Sequence, residues 1–146
     1  MKCAEMIDTE MPPVARQDLV RMPNGMLGFE EIKDYLLVTN PDEHPFAWLR
    51  VRDNSALAFV VIDPFVAMTD YQPDIPQADV EFLKLNQPDD ALLVSVVTIH
   101  NQQRATVNLK GPIVINRHTH VAKQVIIANA AVYSVTHPLP LSEGGA

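Results

Sequence analysis

From Tyr35 onward the chain is a succession of short apolar runs cut by turn signals, and this pattern limits the fold more than any single motif does. "YLLVTN" ends in Asn40-Pro41-Asp42, a turn initiator. "PFAWLRV" and "LAFVVID" meet across Asp53-Asn54-Ser55, which predicts a hairpin with a short loop. "ALLVSVVTI" and "ATVNL" flank the polar "HNQQR" in the same way. "PIVIN" begins at Pro112, which has no N–H to donate and so suits the first residue of a strand. With "VAKQVIIA" and "AAVYSV" there are about eight strand-like segments at short spacing, the pattern of an all-β, mostly antiparallel domain.

Several of these runs are apolar on both sides of the pleat. In "ALLVSVVTI", Leu92, Val94 and Val96 point one way, and Leu93, Val97 and Ile99 the other. A sheet with one wet face cannot hide both sets. The expected solution is a small, irregular β-barrel with something packed outside it, and the alternative is a sandwich of two sheets. Trp48 is expected in its core. One short helix is expected in "DIPQADVEFLKL": Asp74 as N-cap, Pro76 in the first turn, Gln77 three residues on, Val80 and Leu83 on one stripe, and Asn86-Gln87-Pro88 as terminator. The length suits one domain, expected over residues 1–139, with residues 140–146 a flexible tail.

Composition narrows the class. The hydrophobic fraction of 47% is that of a folded chain. A lone cysteine, Cys3, cannot form an internal disulfide, which favours a reducing compartment. The first ten residues contain no apolar run of a secretion signal, and the longest apolar runs are half a membrane helix. A cytoplasmic protein without membrane contact is expected. A net charge of -7 argues against direct nucleic-acid binding. Trp48, Arg50 and Arg52 alternate on one strand side and are the best such candidate, but two arginines are too few. The acids concentrate between Asp63 and Asp90, where Asp63, Asp70, Asp74, Asp79, Glu81, Asp89 and Asp90 face Lys84 alone, a local charge of -6. Such a stretch is either a solvated face or a dock for a basic partner.

Reactive constellations are scarce. His118 and His120 lie at i and i+2 and could share an ion from one strand face, but nothing indicates a third ligand, and an exposed turn is the default. Cys3 has no neighbouring base, and Glu30-Glu31 and Asp89-Asp90 sit where acids cap and solvate. Gly25 and Gly28 lack the Lys-Ser/Thr of a phosphate loop and fit two tight turns with positive φ. No enzyme, cofactor or metal is expected, and the rival in the enzyme class is a metal-assisted hydrolase using His118 and His120. In "TVNLKGPIVIN", Asn108 should tie a neighbouring backbone segment, and Asn116 should make the turn out of the strand. Gly111-Pro112 could leave an unpaired edge open to a partner's strand.

The ordered words "PNGMLGFEE", "PFAWLRV", "LAFVVIDP" with "DYQPDI", "TVNLKGPIVIN" and "AKQVII" followed by Tyr133 resemble the bacterial flagellar assembly factor family FliW. Gly28, Phe29, Asp63, Pro64, Tyr71, Asn108, Leu109, Pro112, Asn116 and Gln124 match the family pattern in order, from about Met22 to Leu139. The family's opening Phe-Gly turn is missing, and Met26-Leu27 replaces its Leu-Pro. The resemblance implies a β-barrel-like, non-enzymatic protein that binds flagellin and CsrA in turn. CsrA is a small, basic RNA-binding dimer that represses flagellin translation. Free protein would capture CsrA and relieve that repression, and flagellin would displace it. On that resemblance Phe65, Asp70, Tyr71, Asp79, Glu81, Asp89 and Asp90 become candidate partner contacts, with Tyr71 either the anchor or a loop ring packed on the barrel.

Overall fold

A computed structural model describes residues 16–54 and 56–140. Of the expected tail, residues 140–146, Pro140 is the last residue of β9 and the others lie outside the described residues, as does Cys3. The elements are β1 (Arg16–Arg21), β2 (Asp34–Thr39), β3 (Phe46–Val51), β4 (Ala58–Ile62), α1 (Pro64–Ala67), α2 (Gln77–Leu83), β5 (Ala91–Asn101), β6 (Arg104–Val107), β7 (Ile113–Asn116), β8 (Ala122–Gln124) and β9 (His137–Pro140). All strand pairs are antiparallel.

β5 organises the sheet. Its first part, Ala91–Val94, pairs with β7; Ser95 and Val96 pair with β4; and its last part, from Val97 to Asn101, pairs with β6. The path runs β1-β2-β3-β4-β5-β6-β9, with β7 and then β8 branching from β5. β8 curls back toward β1 and meets it only at a parallel bridge, Arg21 to Val121, where the Arg21 N–H donates to the His120 carbonyl at 3.0 Å. The sheet is therefore barrel-like but not closed by a continuous ladder.

The two-sided strand β5 is covered on both sides as far as Val97, whereas Ile99, in the part that runs out to the β5–β6 turn, is exposed. Val94, Ile113 and Ile115 point into the curl and pack with Val20, Met22, Tyr35, Leu49 and Val61. Leu93, Val97 and Val114 point outward, under a layer built from Phe65, Tyr71, Ile75, Val80, Leu83 and Leu109. Gly25 (φ +64) and Gly28 (φ +89) make the tight turns expected of them. At Gly25 a Cβ would come within 2.6 Å of the Glu30 Cα, so only glycine fits.

Several expectations need correction. Two α-helices are present rather than one, because Asp63 caps α1: its carboxylate accepts from the Phe65 N–H at 2.9 Å, with Pro64 in the first turn. Asp74 does not cap α2. Pro76 occupies the N-cap without a side-chain bond, and the Asp74 backbone bonds instead to Ala128 and the Asn129 side chain. "AAVYSV" is no strand; Ala130–Val132 is a 3-10 turn, and the last strand is β9. β9 contains Pro138 and Pro140 and pairs only with β6, the edge position where missing N–H groups cost nothing. β1, with only Leu19 and Val20 apolar, escaped the pattern. Trp48 lies outside the core and is 39% exposed, because its side chain falls on the outer parity of β3.

The "TVNLKGPIVIN" segment is two strands separated by a break. The Asn108 side chain accepts from the Lys110 and Gly111 N–H groups, each at 3.0 Å, and so shapes the step from β6 to β7. β7 is paired on both sides, so no strand edge is left free at Gly111-Pro112. Asn116 turns the chain through its side chain, which accepts from His118 N–H at 2.8 Å and Thr119 N–H at 3.2 Å, while its amide donates to the Leu83 carbonyl at the end of α2 at 2.8 Å. The left-handed residue of that turn is His120, φ 63, not Asn116. Asn108→Ala removes the acceptor of two backbone donors and should cost about 1–3 kcal/mol, seen as a lower urea midpoint with an unchanged slope.

Candidate functional site

Three of the seven acids between Asp63 and Asp90 are buried and already engaged. Asp63 caps α1. Asp79, on the inner side of α2, forms an ion pair with Lys123 of β8, and the same ammonium lies 5.5 Å from the Phe82 ring centroid. Asp90 accepts from the Asn86 and Gln87 N–H groups at 2.9 and 3.1 Å and pairs with the His118 ring at 2.9 Å. The Asn86 N–H, and next the His118 ring, hold its carboxyl below the usual carboxylate range. These three carboxylates fasten loops and helices to the sheet.

Phe65 and Tyr71 are also inside. The Tyr71 ring, 1% exposed, lies 5.6 Å from Phe65 and 4.9 Å from Tyr133, and its hydroxyl donates to the Leu109 carbonyl at 2.6 Å. Of the two roles open to Tyr71 from sequence, the structure has the packed ring. Tyr133 in turn accepts from the Gln72 N–H at 3.0 Å, and the Asn129 amide donates to the Gln72 carbonyl at 2.8 Å. "DYQPDI" is thus pinned to the segment around residue 130. What remains at the surface is Asp70, Glu81 and Asp89, with Asp74 half-buried; beside Glu81 on α2 is Phe82, 41% exposed.

A second group of the matched residues meets at Gln124. Its carbonyl accepts from the Leu27 N–H at 3.0 Å, and its amide donates to the Gly111 carbonyl at 3.2 Å. One side chain therefore joins "GMLGF", "LKGP" and "AKQV", words far apart in the chain. Phe29 packs edge-on against Phe59 at 5.2 Å. Nothing in the spacing of these words signals that they converge on one glutamine.

The two histidines do not act together. His118 faces Asp90, whereas His120 Nδ1 is 3.2 Å from the Leu19 carbonyl on β1. Among the described residues no group of three or more His, Cys, Asp or Glu is placed to share an ion, and no helix is long and apolar enough to cross a membrane.

Fold and surface together define a small antiparallel β scaffold with a helical flank. A family model described as "FliW protein" matches residues 8–139. The flagellar assembly factor FliW of Syntrophus aciditrophicus is 39% identical over 121 residues, 82% of this chain and 77% of the relative. That of Natranaerobius thermophilus is 33% identical over 133 residues, covering 90% and 87%. A crystal structure of the flagellar assembly factor FliW superposes with a TM-score of 0.74 at 32% identity, covering 92% of each chain. The chain belongs to the FliW family of flagellar assembly factors.

The Asp90 carboxyl has a pH consequence. Its folded pKa is below its unfolded value, so its contribution to stability is present above about pH 4 and is lost as pH falls through the depressed folded value. Asp90→Asn should lower the melting temperature at neutral pH and shrink its fall on acidification. Thermal melts from pH 7 down through the carboxylate range test this. Tyr71→Phe should cost roughly 1–3 kcal/mol by leaving the Leu109 carbonyl unpaired, measured by urea unfolding.

Proposed function

We propose that the protein is a non-enzymatic regulator of flagellar assembly, acting in the cytoplasm, that binds flagellin and CsrA in turn and so relieves CsrA repression of flagellin translation. Membership of the FliW family over most of the chain supports the flagellar setting. The observation that carries the CsrA part is the exposure of three acids, Asp70, Glu81 and Asp89, with Phe82 exposed next to Glu81 on α2. A basic, RNA-binding partner is steered toward such a field, and RNA is repelled from the complex. Phe82 gives the charged patch an aromatic contact, the residue class that interfaces favour at their centres.

The test is a titration with CsrA from the same organism, with and without flagellin. CsrA should bind, flagellin should displace it, and Glu81→Lys with Asp89→Lys should weaken CsrA binding by on the order of tenfold at low salt, mainly through a slower association rate. Unchanged affinity and salt dependence in the double variant would remove the acidic surface from the proposal. Binding of flagellin alone would make the protein a flagellin chaperone without the translational arm.

A further inference from the structure

The helical layer stops short of one part of the sheet. Phe46 and Val60 are packed against the outer core, but among the described residues no helix lies over the positions next to them across β3 and β2. Trp48 pairs with Val38 on β2 and Val60 on β4, so the three share a face. Two residues on, Arg50 stands on that face between Leu36 and Ala58, and Leu19 of β1 pairs with Leu36. Trp48 is 39% exposed and Leu19 41%. Val38, Trp48, Arg50, Ala56 and Ala58 line an open depression of about 390 Å³.

Charge selects the occupant. Arg16 is paired with Asp18, and Arg21 and Arg52 share Asp34. Arg50 has no ion pair or side-chain hydrogen bond among the described residues. Arg50 is a half-buried residue flanked by Leu36, Trp48 and Ala58, on a protein whose net charge is -7. We propose that this face is a docking surface for an apolar protein segment carrying a carboxylate. Leu19, Leu36, Val38 and Val60 take its nonpolar side chains, the indole supplies a rigid wall, and Arg50 receives the carboxylate through two parallel N–H···O bonds. A basic segment would meet like charge here, and a nucleic acid would find a single unpaired cation where its phosphates need several. The surface lies on β1 to β4, on other elements than the acids of α2 and of the 3-10 turn Pro88–Asp90, and its assignment does not rest on the CsrA reading.

Trp48 is the only tryptophan of the chain, so its emission reports occupancy of this face directly. The probes are a synthetic amphipathic Leu/Glu peptide, its Leu/Lys twin, and oligouridylate, each titrated into the full-length protein. The Leu/Glu peptide should shift the emission to the blue and saturate. Arg50→Glu should weaken it by on the order of tenfold and move the preference to the Leu/Lys twin. Trp48→Ala, followed by calorimetry, should weaken binding with little change in melting temperature, since the ring is on the surface. No shift with the Leu/Glu peptide, or equal affinity for the twins, overturns the proposal. A response to oligouridylate alone would assign the face to nucleic acid, and a blue shift that grows with protein concentration would assign it to a second copy; either also overturns it.

Discussion

The fold depends on an eleven-residue strand whose first seven residues, Ala91 to Val97, are shielded from water on both sides. β5 carries large apolar groups at both parities, so the chain must build cover twice: once by curling the sheet round the inner set, once by laying helices and pinned loops over the outer set. That one strand also serves three neighbours in succession along its length. The break at Asn108 follows from this sharing. β6 and β7 lie along the same strand, and the chain between them steps away from the ladder, held there by the Asn108 side chain.

The acidic stretch shows how far formal charge in a sequence can differ from charge at a surface. Asp63, Asp79 and Asp90 are the buried acids, and each is compensated by a different device: a helix cap, a lysine ion pair, and two loop N–H groups with an imidazole. Buried carboxylates persist only when so compensated. The field available to a partner is therefore set by the fewer acids that remain outside, of which Glu81 is carried by the same helix whose inner side is anchored to β8.

Much of the architecture was legible because hydrophobic parity is a local signal. β2 to β5, with their hairpin turns, follow directly from it, as do the two glycine turns. Where the reading failed, the deciding interactions were long-range. Ala130–Val132 has strand-like composition, but Asn129 and Tyr133 hold that segment to the loop around Gln72. β9 was not among the expected strands, and its prolines are acceptable because it pairs with β6 at the edge of the sheet. Tyr71 beside Asp70 in a proline-flanked loop carried nothing to say that its ring turns inward toward Leu109. Trp48 was misplaced because parity tells which residues share a side, not which side is covered. The fold class was thus readable from neighbours in sequence, and the site was not, since it is assembled by residues 30 to 100 positions apart.

The seam between β1 and β8 has a mechanical consequence. A barrel sealed by full ladders opens only by breaking many bonds at once, whereas here the wall is latched at Arg21 and Val121. Among the described residues the other ladder of β1 is with β2 alone, and beyond that it has the His120 ring at the Leu19 carbonyl and Val20 in the inner core. The inner core can therefore breathe at this latch while the helical flank stays assembled, and amide protons of β1 exchange with solvent through an opening far smaller than global unfolding. The molecule has a loose side and a tight side, divided by β5.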